Sequence, residues 1–181
     1  MITGQDVATA AVESGLLGTP YSKLDCQAFV EEVLKDVGLP HSFRGSNHMW
    51  RDLVTDRTPV KGHEVPVGSL AFIVKQDGGE VKRGYHDNYG NATHVAIVIS
   101  DSQVMESTTG GVQYGKLGRF NYYGLIRGVV YEKGGNTDAG EGPTPFDRLM
   151  AMIRVIRDNV DGLEVLVNDI YRNTGADQSR I

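Results

Sequence analysis

The chain has 181 residues, 40% of them hydrophobic, and its 18 Lys and Arg against 23 Asp and Glu leave a formal net charge of −5. That length buries one catalytic-size core with something extra, not two full domains. With no basic run there is no surface for phosphate backbones, so nucleic-acid binding is not expected. Nor does any stretch approach the roughly 20 apolar residues of a bilayer span, and the opening residues lack the positive flank and apolar run of an export signal, which predicts cytoplasmic synthesis and no membrane span.

Apolar positions three and four apart, closing on Gly15, predict a first helix over 4–16. Residues 17–23 break that periodicity. A second helix is expected to start at Asp25 or Cys26, because Asp25 is a good N-cap and Ala28, Phe29, Val33, Leu34 and Val37 form an apolar stripe that Gly38 ends. Residues 41–65 are mixed and support only a short helix near 47–54.

Beyond Gly68 the pattern turns to strands. Runs rich in Val, Ile and Tyr at 69–75, 94–100, 103–107, 111–116 and 125–131 are separated by Gly, Asn and Asp. The expected class is therefore α+β, with N-terminal helices on an antiparallel sheet. A glycine-rich connection over 77–93, long enough to suggest a functional or mobile loop, leads into His94.

The domain is expected to end near 132, with a linker over 133–144 whose core is Gly134 to Pro143. An amphipathic extension over 145–181 follows. Leu149, Met152, Ile156, Leu163, Leu166 and Ile170 fall on heptad a and d positions, predicting a helix over 145–173. Docking on the domain and self-association are equally compatible with it.

Cys26 is the single cysteine, which excludes an intramolecular disulfide and a multi-thiolate zinc site. A lone thiol is either packed in the core or reactive. The first turn of a helix favours the second, because unpaired N–H groups and the positive end of the dipole stabilise a thiolate. Such a thiol needs a base. His41, His48, His63 and His86 lie in loops, whereas His94 opens the most apolar run of the chain, Val95 to Ile99. A ring there is either a structural hydrogen-bonding partner or the base. Glu106, on the next strand past a turn at Asp101 and Ser102, is spaced to face His94 across the hairpin, or else is a solvated edge carboxylate.

Four motifs occur together in one order: Gly18-Thr19-Pro20-Tyr21; Leu24-Asp25-Cys26-Gln27-Ala28-Phe29-Val30; Pro66-Val67-Gly68-Ser69-Leu70-Ala71-Phe72; and His94-Val95-Ala96-Ile97-Val98-Ile99. In this they resemble the NlpC/p-sixty cysteine peptidases over roughly residues 15–131. The resemblance implies a papain-like core. It also implies Cys26 as nucleophile, His94 as base and Glu106 as the residue that orients the ring. Tyr21, Asp25 and Gln27 would then border the substrate. No metal or cofactor is expected.

The chain departs from the family's habits at Gln27-Ala28, where Ser-Gly is usual, and at Glu106, where His is. A carboxylate can still accept the ring N–H and stabilise imidazolium. The implied reaction is hydrolysis of bacterial cell-wall stem peptides between D-glutamate and a diamino acid. A wall substrate without an export signal leads to the expectation of a phage or prophage protein, released for lysis or carried on a tail, with 145–173 for attachment or self-association. A CHAP-like cell-wall amidase, an acyltransferase or transglutaminase-like enzyme, and an inactive tail-associated binding module stand as alternatives.

Overall fold

The computed structural model describes residues 1–76, 85 and 87–131. These belong to the first of the two units into which the chain divides, Met1–Gly134 and Gly135–Ile181. The expected linker over 133–144 and helix over 145–173 lie outside the described residues, as does most of the glycine-rich connection.

The chain opens with a two-residue strand, β1 (Ile2–Thr3), and runs directly into α1 (Gly4–Glu13). Thr3 caps this helix reciprocally: its hydroxyl accepts from Asp6 N, and Asp6 Oδ2 accepts from Thr3 N. The helix buries Val7, Ala8 and Ala11 and ends before the expected residue 16. Then α2 (Cys26–Asp36) begins at the cysteine, capped by Asp25, whose Oδ1 accepts from Ala28 N at 2.8 Å. It buries Phe29, Val30, Val33 and Leu34, and Gly38, at φ +75°, lets the chain turn away.

A short turn α3 (Ser46–His48) and a π-helical turn (Met49–Leu53) fill the place of the expected helix near 47–54. Six strands follow: β2 (Val54–Pro59), β3 (Leu70–Lys75), β4 (Asn91–Val98), β5 (Gln103–Thr108), β6 (Gly111–Lys116) and β7 (Tyr122–Ile126). They make an antiparallel sheet ordered β2-β7-β3-β4-β5-β6. The last strand, β8 (Val129–Val130), pairs in parallel with β1.

Three boundaries differ from expectation. β2 was not foreseen: Val54-Thr55-Asp56-Arg57-Thr58-Pro59 is too polar to announce a strand, and its pairing with β7 shifts register between Thr55 and Thr58, where Asp56 takes φ +48°. The final long strand begins at Tyr122, not Leu125, and breaks at Arg127 and Gly128 before β8. β4 begins three residues before His94, because Asn91 and Ala92 pair with Lys75 and Val74.

The sheet separates two apolar clusters. Val7, Phe29, Val33, Leu34, Trp50, Phe72, Val95, Ile97 and Met105 pack on its helical side. Ala71, Ala96, Val98, Val104, Leu117, Phe120 and Tyr123 form the other. Alternate residues of β4 and β5 thus serve both clusters, which is why both strands read as nearly unbroken apolar runs.

Candidate active site

Cys26 stands at the first position of α2, 8% exposed, at the edge of the helical-side cluster. The first turn of a helix leaves its N–H groups without intrahelical acceptors, so the thiol lies against the positive end of the helix. The residues just before it are held in place. Lys23 N and Leu24 N both donate to Pro20 O, and Leu24 O accepts from the buried Ser107 hydroxyl at 2.5 Å.

His94 is aimed by a bulge. Its backbone pairs with Ile73, but the next rung joins Val74 to Ala92, so Thr93 is an extra residue immediately before it. That arrangement puts the ring with the second cluster, stacked on Phe120 at 5.7 Å between centroids. The side chain is 15% exposed. Nε2 meets Glu106 Oε2 at 2.6 Å, the Cys26 thiol acts on the titration of the same ring, and Nδ1 is the nitrogen that Glu106 leaves unengaged.

Glu106 is fully buried. The β4–β5 register places Met105 opposite Ile97 and Val104 opposite Val98. Extended by one rung, it sets Glu106 beside Ala96 and diagonal to His94 on the same face. The hairpin thus brings carboxylate and imidazole together, and the solvated edge position considered for Glu106 is not the one it occupies. Its second oxygen, Oε1, accepts from Arg119 Nη1 at 2.5 Å. Arg119 lies in the 3-10 turn Leu117–Arg119 and carried no signal in the sequence, because only the pairing of β5 with β6 carries that turn to Glu106.

The electrostatics follow from these contacts. Burial pulls the His94 imidazole down, but hydrogen bonds and charges of Cys26 and Glu106 outweigh it, and the ring is pushed up to about 9. The Tyr21 hydroxyl is raised above the ordinary phenol value, first by the charge of Cys26, then by burial, the charge of Asp25 and a hydrogen bond to Cys26. Tyr21 is 38% exposed, whereas Cys26 is 8% exposed.

Of the other residues singled out in the sequence, Asp25 is the helix cap next to the thiol and is exposed. Gln27 points elsewhere: its Nε2 donates to Glu31 Oε1 at 2.9 Å and to Phe43 O at 2.5 Å, bracing the segment after α2. His48 lies apart from the cluster and pairs with Asp52 at 2.6 Å. Among the described residues no cluster of His, Cys, Asp and Glu is arranged to hold a metal ion, and no helix is long and apolar enough to cross a membrane.

Chemically, a thiol at a helix N-terminus, an imidazole within its electrostatic reach and a buried carboxylate hydrogen-bonded to the imidazole are the parts of a nucleophile–base–orienter system. No protein-family profile matches the chain, and no curated protein does. Among solved structures, the NlpC/p60 domain of peptidoglycan hydrolase SagA is similar at 19% identity with a TM-score of 0.51, over 69% of this chain and all of that one. The chain therefore has an NlpC/p60-like α+β fold.

Proposed function

We propose that this protein is a cysteine peptidase that hydrolyses the bond between D-glutamate and the diamino acid of bacterial cell-wall stem peptides. The observation that carries the reading is the His94 ring, held at Nε2 by the buried Glu106 carboxylate and with its titration acted on by Cys26 at the start of α2. The likeness of the fold to a domain of a peptidoglycan hydrolase supports the substrate class.

In this reading the Cys26 thiolate attacks the amide carbonyl carbon, and the oxyanion is met by the Cys26 backbone N–H at the helix start. The proton that His94 holds passes to the leaving amine, and the C–N bond breaks to leave a thioester on Cys26. Neutral His94 then takes a proton from water as the hydroxide adds to the thioester. Collapse releases the carboxylate product and restores the thiolate beside imidazolium. Glu106 accepts the ring N–H throughout, fixing the tautomer and stabilising the charged ring. The Asp25 carboxylate next to the thiol suits a substrate carrying a free amino group.

Digestion of purified muropeptides with products identified by mass spectrometry tests the assignment. Wild type is expected to split the stem peptide at that bond and Cys26→Ala to leave it intact. Release of the whole stem peptide from the glycan would instead assign an amidase, and an intact wall of every chemotype would sink the hydrolase reading.

A further inference from the structure

Glu106 presents an electrostatic problem that the three-residue reading does not solve. Its carboxylate is wholly buried, and an ionised carboxylate without a countercharge does not persist in such a place. His94 is only an intermittent countercharge, since in the proposed reaction it gives up its proton once per turnover. A carboxylate paired with His94 alone would tend to take up a proton each time the ring became neutral, and the ring's orientation would be lost with it.

The geometry supplies a permanent countercharge on the other oxygen. Oε2 faces His94 Nε2 at 2.6 Å, and Oε1 faces Arg119 Nη1 at 2.5 Å. A guanidinium stays charged at every working pH. Arg119 is held by its surroundings: Leu117 N donates to Ser102 O, which ties the 3-10 turn to the β4–β5 hairpin, and its guanidinium lies 5.6 Å from the Phe120 ring on which His94 stacks. The space for the carboxylate is also built. β5 and β6 pair Glu106 with Gln113 and Val104 with Gly115, and a Cβ on Gly115 would collide with Glu106 Oε1.

Cys26 from α2 acts on His94 and Arg119 from the turn after β6 pairs with Glu106, while Tyr21 and Asp25, from the segment before α2, lie around Cys26. The register neighbour on β6, Gln113, is uncharged. His94, Glu106 and Arg119 therefore form one line of contacts in which the carboxylate stands between two cationic groups whenever the ring is charged.

We propose that Arg119 is a positioning residue that keeps Glu106 ionised whether His94 is charged or neutral, with Gly115 giving the carboxylate the room to reach it. The proposal rests on the assignment of Cys26, His94 and Glu106 made above. Arg119 need not touch substrate. It acts on the proton affinity of the Cys26–His94 couple, by holding in place the charge that stabilises the imidazolium.

Because Cys26 is the single cysteine, alkylation by iodoacetamide followed by mass spectrometry reports its thiolate without interference. The measurement is the rate against pH for the full chain and for Arg119→Gln, Arg119→Lys and Gly115→Ala, with circular dichroism confirming that each variant folds. The wild-type midpoint is the reference, and His94→Ala, measured beside the others, should move it if His94 governs the thiol. In Arg119→Gln and in Gly115→Ala the acid midpoint should rise by about one unit or more, and Arg119→Lys should recover most of the Arg119→Gln shift. A purely structural role would lower the rate at all pH values and leave the midpoint where it was. An unmoved midpoint in either folded variant, where His94→Ala does move it, overturns the role of Arg119 alone. A folded His94→Ala that keeps the wild-type midpoint overturns the Cys26–His94 assignment, and this proposal with it.

Discussion

His94 concentrates the chemistry of the site in one titration. Its pKa is raised to about 9 from the ordinary imidazole value of about 6.5. A raised value means that the folded state binds the proton more tightly than the unfolded chain. The stabilisation this gives is complete below about 6.5 and is lost as pH climbs through about 9. Glu106→Gln removes one of the supports and should bring the His94 midpoint down toward 6.5, followed by NMR of the ring protons. The same substitution should flatten the decline in unfolding free energy across that interval. A midpoint unchanged from wild type would show that Glu106 does not govern the ring.

At this scale the sequence was most informative where a residue stood against its background. Cys26 followed a capping Asp, and His94 preceded five apolar residues. Arg119 and Ser107 were silent, because neither is unusual among its neighbours. Arg119 gains its meaning from a strand pairing, and Ser107 from the Leu24 carbonyl it holds. Gln27 was the reverse: adjacency to Cys26 drew attention to it, but a helix rotates successive side chains by about 100°, and its amide nitrogen faces Glu31 and Phe43.

β5 is the element that joins the two halves of the site. Consecutive residues point to opposite faces of a strand, so Glu106 turns toward His94 while Ser107 reaches the loop before α2 and holds Leu24 O. One strand therefore positions both the carboxylate and the approach to the nucleophile. Ser107→Ala should leave that carbonyl without its partner at a cost of about 1–2 kcal/mol, measured by urea unfolding, and should slow Cys26 alkylation without moving its pH midpoint. Unchanged stability together with an unchanged alkylation rate would deny β5 that second function.

Helix starts were readable because capping chemistry is local: Asp25 and the Thr3–Asp6 pair are written within four residues of sequence. Strand limits were not, because they depend on partners. Asn91 and Ala92 join β4 through Asn47, a residue far away in sequence that accepts from Ala92 N and donates to Asn91 Oδ1. The segment leading into β4 is likewise fixed by Arg51, which binds Asp87 at 2.8 Å and Gly90 O at 2.8 Å, and by Trp50, which donates to Tyr89 O. No window centred on His94 contains those residues.

Across the whole domain, the feature least visible in the sequence is the junction where the two ends of the described fold meet. β1 pairs with β8, so Ile2 lies beside Val129. Gly4 and Gly68 cross so closely that a Cβ on Gly68, which also needs φ +79°, would strike the Gly4 backbone. Tyr131 closes this crossing: its hydroxyl donates to Gly68 O at 3.3 Å and accepts from Ile126 N at 3.0 Å, and burial pushes its ionisation well above the ordinary phenol range. The contact of Tyr131 with Gly68 joins residues 63 positions apart and leaves no periodicity to read. Tyr131→Phe keeps the ring against Gly4 and deletes only the hydroxyl, so it should destabilise the domain by about 1–2 kcal/mol, lowering Tm by a few degrees. Alkylation of Cys26 should keep its wild-type pH dependence, because the junction touches none of the groups that set it. A variant that melts as wild type does would mean that the two backbone partners of the hydroxyl find water instead. One that unfolds normally but shifts the thiol midpoint would mean that closure at the junction of β1 and β8 is transmitted through β3 and β4 to His94.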